Sequence, residues 1–261
     1  MTHFSLCTGI GGIDLAAEWA GFKTIAQAET EKYASKVLAK NFPGVPNFGD
    51  IRNITKLSIR AAGIEPGSVT AVSAGFPCQP HSLVGKRKAS CDERDIWESV
   101  CRAISIIDPV WFVAENVPGL LSSEEGQFFG RVLRDLSALG FNVTWGIIGA
   151  SAAGAMHIRK RIFILAYSAG KRQRDMAESE QKRCTYIHFP HVEPREIQKT
   201  AEIDRVIDAF RLLPEPRRGV IRNDNGISAG LDRIKCLGNA VVPQQIYPIF
   251  KEIAEIERGL K

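Results

Sequence analysis

Pro109 to Glu115 reads PVWFVAE, a nearly unbroken apolar run that starts directly after Asp108. A strand with no polar alternation must be covered on both faces, which is the pattern of a sheet wrapped by helices. The surrounding 166 residues repeat that requirement, because apolar strands alternate with amphipathic helices. HFSLC reads as a buried strand, GIDLAAEWAG as a helix, KTIAQAE as a strand and EKYASKVLAKNF as a helix stopped by Pro43-Gly44. SVTAVSAGF is a strand running into a loop, RDIWESVCRAISII a helix ended by Asp108-Pro109, and QFFGRVLRDLSALG another helix. FNVTWGIIGA and RIFILAYS are two further strands. The expectation is an α/β domain built on a parallel sheet.

After Ser168 the rhythm breaks. Residues 169–226 are polar, with apolar positions only at places such as Ile203, Val206, Ile207, Phe210 and Leu212, a spacing compatible with one amphipathic helix. QQIYPIFKEIAEIERG then carries a helical stripe at Ile246, Ile249, Phe250, Ile253 and Ile256 that must pack back on the main domain. The expected organisation is one domain made of residues 1–168 and 227–261, with a short inserted region at 169–226.

Composition narrows the partners. A chain of 261 residues with 44% hydrophobic and 24% charged residues can bury a real core and is neither disordered nor a membrane protein by composition. No apolar run approaches a bilayer span, and MTHFSLCTGIGG lacks a basic leader region, so a cytoplasmic location is expected. Cys7, Cys78, Cys91, Cys101, Cys184 and Cys236 contain no C-x-x-C pair, and neither a disulfide framework nor a metal site is expected. The net charge of +5 is regional: residues 159–235 hold 17 Lys/Arg against 11 Asp/Glu. That excess reads either as a solvated surface or as a face for a polyanion.

Several residues at strand ends carry chemistry. Thr8-Gly9-Ile10-Gly11-Gly12 lies between the first strand and first helix, where glycines allow a ligand to approach the backbone or simply permit tight packing. Glu29 follows Gly11 by 18 residues and ends the second strand, a position from which a carboxylate reaches ribose hydroxyls. Asp50, in GDI at the end of a third strand region, could hold an adenine amino group, although each acid taken alone reads first as a helix cap or a loop-solvating group. In GFPCQPHSLVGKRK, Cys78 stands between Pro77 and Gln79 just past a buried strand, as a nucleophile in a stiff loop or as a small buried apolar residue. AENVPGLL ends the next strand with Glu115-Asn116, where desolvation would favour a protonated carboxyl able to donate to a ring nitrogen, or where an acid braces a loop. HIRKRIFIL places Arg159 and Arg161 two apart at a strand start, so both point to one face.

The order CTGIGG, AETEKYA, GDI, GFPCQPHS, AENV, RKR and LGNAVVPQ resembles the cytosine-5 DNA methyltransferases over nearly the whole chain outside 169–226. The resemblance implies a Rossmann-like fold binding S-adenosylmethionine. Gly9 and Gly11 would lie against its methionine part, Glu29 its ribose and Asp50 its adenine, with Ile51 packed on the adenine ring and Asn239 returning to the same pocket. Cys78 matches the nucleophile, Glu115 the acid at the cytosine edge, and Arg159 and Arg161 the arginines near a base flipped out of double-stranded DNA. Residues 169–226 match the target-recognition region and are short, as in compact phage-type members, and a monomer is expected. Cys7 stands where the family has phenylalanine, and His157 where it has glutamine.

Carbon 5 of cytosine is a poor nucleophile, and thiolate addition at carbon 6 with proton donation at nitrogen 3 activates it, which gives Cys78 and Glu115 their implied roles. The same chemistry on tRNA is the nearest alternative. A catalytically silent DNA-binding relative is the other, against which the retention of both Cys78 and Glu115 argues.

Overall fold

The computed structural model describes residues 1–77, 96–153, 159–168, 170 and 240–259. Within them, six strands form one sheet: β1 (Thr2–Leu6), β2 (Lys23–Ala28), β3 (Ala71–Ala74), β4 (Trp111–Asn116), β5 (Phe141–Gly149) and β6 (Lys160–Ser168). The helices are α1 (Gly12–Trp19), α2 (Lys32–Asn41), α3 (Lys56–Ala61), α4 (Trp97–Ile107), α5 (Gln127–Ala138) and α6 (Pro243–Gly259). The sheet order is β2-β1-β3-β4-β6-β5. The helix expected around Ile203 to Leu212 lies outside the described residues, as does nearly all of 169–226.

β1 to β4 are mutually parallel, as the unbroken apolar strands imply. β6 departs from that expectation: it runs antiparallel to both β4 and β5. β5 and β6 are neighbours joined by only ten residues, 150–159, fewer than a crossover helix needs, and a short link between neighbouring strands makes them antiparallel. The third strand region expected before Asp50 is likewise reduced to one isolated bridge, Gln27 to Asn47, followed by a 3-10 turn over Ile51–Asn53.

β4 shows why its sequence is apolar throughout. Phe112 and Ala114 face a core with Trp97, Ile104 and Val132, while Trp111 and Val113 face α1 and α6 through Ala16, Ile249 and Phe250. The predicted stripe of α6 is buried along its length. Pro248 sits inside that helix, where it withholds an N–H only from the exposed Gln244.

On the α1 side of β1 the interior is polar. His3 is fully buried, with Nε2 2.8 Å from Ser73 Oγ and Nδ1 3.2 Å from Thr24 Oγ1, so one ring ties together three strands. Burial holds its pKa down at about 3. Asp14, in the first turn of α1, is also fully buried and accepts a hydrogen bond from Gln27 Nε2 at 2.9 Å. Burial pushes its carboxyl up to about 6, with the hydrogen bond from Gln27 pulling the other way.

The native state therefore holds the Asp14 proton more tightly than the unfolded chain does. Its contribution is complete below the ordinary carboxylate range and is lost as pH rises through about 6. The loss amounts to about 3 kcal/mol. Asp14→Asn should flatten the pH dependence of urea stability between about pH 4 and 6 relative to the wild type. Parallel profiles for the two proteins would assign that dependence to other groups.

Candidate active site

β1, β2, β3 and β4 end at Leu6, Ala28, Ala74 and Asn116 on a single edge of the sheet, and β6, because it is antiparallel, begins there at Lys160. This edge gathers the glycine loop, Glu29, the chain entering GFPC, Glu115 and the two arginines. Between β1 and β3 the winding direction of the sheet reverses, the place where open α/β sheets bind ligands. The loops leaving these two strands touch: Gly75 N donates to Leu6 O at 3.3 Å, and a Cβ on Gly75 would lie 3.4 Å from the Cys7 carbonyl oxygen.

The glycine loop is held in left-handed backbone at Cys7 (φ 50°), Gly9 (φ 60°) and Gly11 (φ 88°). Among the described residues no atom lies within 4 Å of a Cβ placed on Gly9, which suits a ligand approaching the backbone. Glu29 fastens two loops at once: Oε2 accepts from Gly9 N at 2.7 Å and Oε1 from Glu31 N at 2.7 Å. The Cys7 thiol is pushed up to about 12 by burial and by the nearby Glu29 and Asp50, so it stays protonated and places both acids around the loop. Open backbone at Gly9 beside two carboxylates fits the ribose and amine groups of a nucleoside cofactor.

Asp50 does serve as a cap. Its Oδ1 accepts from Arg52 N at 2.9 Å, and Arg52 Nη2 pairs with Oδ2 at 2.7 Å. These contacts with Arg52 hold its carboxyl below the usual range. Ile51 is 3% exposed and belongs to the core cluster, which leaves little of its side chain toward the edge. At Gly12 a Cβ would collide with the Val241 carbonyl, so the returning chain crosses directly over the start of α1. Asn239 itself lies outside the described residues, but the neighbouring Ala240 and Val241 reach this loop.

Across the edge, Glu115 is buried at the end of β4 and its Oε1 lies 2.7 Å from Arg161 Nε. Burial raises the Glu115 pKa, while Arg161 and, less strongly, Arg159 pull it back. The arginines share that field but hold different partners: Arg159 Nη2 donates to Ala240 O at 2.7 Å. Its own pKa is lowered by burial and by Arg161.

Asn116 does more than follow Glu115. Its Nδ2 donates to Phe76 O at 3.0 Å and its Oδ1 accepts from Val117 N at 2.8 Å. The backbone two residues before Cys78 is thus pinned to the residue after the acid, and Phe76 packs on Trp97 with ring centroids 5.0 Å apart. Cys78 and His157 lie outside the described residues. This clamp is not readable from residue type, since an asparagine at a strand end has many partners open to it.

A sheet with a glycine loop at its reversal point and a buried acid two strands away defines a Rossmann-like α/β domain. The chain belongs to the C-5 cytosine-specific DNA methylase family, whose model matches residues 1–218. It is 34% identical over 168 residues to the Type II methyltransferase M.BsuFI of Bacillus subtilis, covering 64% of this chain and 39% of that protein. It is also 34% identical over 167 residues to M.NgoBI of Neisseria gonorrhoeae, covering 62% of this chain and 49% of that protein. The chain spans less than half the length of these curated relatives. The fold is shared with the methyltransferase EhMeth of Entamoeba histolytica at a TM-score of 0.61, covering 98% of each chain at 16% identity.

Removing the guanidinium of Arg161 takes away the main charge opposing desolvation at Glu115. In Arg161→Met the Glu115 carboxyl, followed by carbon-13 NMR through a pH titration, should titrate at higher pH than in the wild type. A titration that stays put or moves down would show that Arg161 does not set this carboxyl.

Proposed function

We propose that this chain transfers a methyl group from S-adenosylmethionine to carbon 5 of a cytosine flipped out of double-stranded DNA, working as a monomer. The carrying observation is Glu115: a buried carboxyl with a raised pKa, paired to Arg161, beside an asparagine that pins the backbone leading to Cys78. A protonated carboxyl is what donation to nitrogen 3 requires.

The residues present fit the cofactor. The open backbone at Gly9, the Glu29 carboxylate and the segment at Ala240–Val241 would hold it, with Asp50 at the rim, and when bound it supplies an electrophilic methyl. The chain's own residues do the rest. The Cys78 thiolate adds to carbon 6 while Glu115 gives its proton to nitrogen 3, which makes carbon 5 nucleophilic. Loss of the carbon 5 proton to water and expulsion of the Cys78 thiolate, with the nitrogen 3 proton returning to Glu115, then restore both side chains. Arg161 orients Glu115 and would face the base carbonyl. Flipping costs a few kcal/mol, offset by contacts to phosphates. Residues 169–226, proposed as the target-recognition region, supply basic groups for that purpose.

Cys78→Ser should abolish transfer of tritium from labelled S-adenosylmethionine to DNA while cofactor binding persists, and the wild type should form a covalent adduct with 5-fluorocytosine DNA. Glu115→Gln should lower turnover far more than cofactor affinity. An enzyme that methylates DNA yet never forms the adduct would overturn the mechanism. In the inserted region, changing Arg217 and Arg218 together to alanine should flatten the salt dependence of DNA binding by about one unit per lost phosphate contact. Unchanged affinity, slope and methylated sequence would place that pair away from DNA.

A further inference from the structure

Gln245 lies in the first turn of α6 among apolar neighbours and is fully buried. An apolar side chain would pack there without the cost of desolvating an amide, so the amide's use lies in what it holds. Its Nε2 donates to Ile148 O at 2.9 Å, near the end of β5, and to Arg159 O at 3.0 Å, just before β6. Both N–H groups are spent on the two strands that deliver Arg159 and Arg161 to the edge.

The grip is reciprocal. Gln245 holds the backbone of Arg159, and the Arg159 guanidinium holds the backbone of Ala240, five residues before Gln245. The segment so captured is the one that crosses Gly12 at the glycine loop. Arg159 also shares the electrostatic field of Arg161 and Glu115. One closed pair of contacts therefore joins the cofactor side of the edge to the acid side.

We propose that Gln245 is a positioning residue for methyl transfer that acts through Arg159, their reciprocal lock fixing the spacing between the glycine loop and Glu115. This inference rests on the function proposed above. Two reactants held on opposite sides of such a strut can each bind well and still react slowly if the strut slips.

The test uses the full chain with Gln245→Met, which keeps volume but has no donor, Arg159→Met, and the double variant. Thermal melts establish folding; if Gln245→Met does not fold, Gln245→Asn takes its place, since the shorter side chain withdraws the same amide. Single-turnover transfer from S-adenosylmethionine to a random-sequence duplex pool should slow about tenfold to a hundredfold in the Gln245 variant. Cofactor affinity and the KM for DNA should stay within about threefold of the wild type, which a general loss of structure would not allow. The double variant should be no slower than Arg159→Met. An unchanged rate, a loss confined to affinity, or two losses that multiply in the double variant would overturn the proposal. If the wild type methylates no duplex, the function fails on its own and the lock is judged by hydrogen exchange. Faster exchange at residues 240–242 in both single variants, no faster in the double, supports it; unchanged exchange overturns it.

Discussion

Burying a carboxyl at the end of a central strand is costly unless a cation comes to meet it, and in this protein the edge of the sheet is organised around that requirement. Glu115 has a neighbour with the needed charge only because β6 runs against β4. A parallel β6 would start at the opposite edge and carry Arg159 and Arg161 away from the ends of β1 to β4. Reversal brings them to the edge where the acid and the glycine loop already stand. Desolvation still outweighs the arginines, so the carboxyl keeps its proton to higher pH than an exposed glutamate would.

The same economy appears on the cofactor side. Glu29 uses one oxygen on the glycine loop and the other on the start of the next segment, so the group proposed for a ribose also sets the shape of the loop. Asp50 is committed to Arg52 and to capping a turn, which leaves it at the rim of the site. Cys7 is a protonated thiol in a left-handed backbone conformation, its pKa raised by burial and then by the charges of Glu29 and Asp50. Asn116 and Gln245 complete the edge by holding backbone carbonyls of neighbouring segments.

Much of this was legible in the chain itself. The unbroken apolar strands fixed a sheet covered on both faces, and the stripe of α6 announced a helix packed on the domain, because burial on one or both sides leaves a periodic mark on sequence. The loop motifs named the family, and Glu29 and Glu115 lie at strand ends that any parallel sheet collects on one edge, whereas the arginines reach that edge only through the antiparallel β6. Strand direction was not legible. β6 is as apolar as a parallel strand because it too is covered on both faces, and nothing in RIFILAYS records which way it runs.

Partner choice was equally hidden. The sequence alone determined a doubly covered α/β sheet and the set of polar residues at its ends, since both follow from local periodicity and residue type. Only the tertiary structure decided that Arg161 pairs with Glu115 while Arg159 takes Ala240, that Asn116 clamps Phe76, and that Gln245 binds two strands from a helix that lies 86 residues beyond Arg159. Hydrogen bonds and ion pairs between segments so far apart depend on distances of a few tenths of an ångström, which packing sets and residue identity does not.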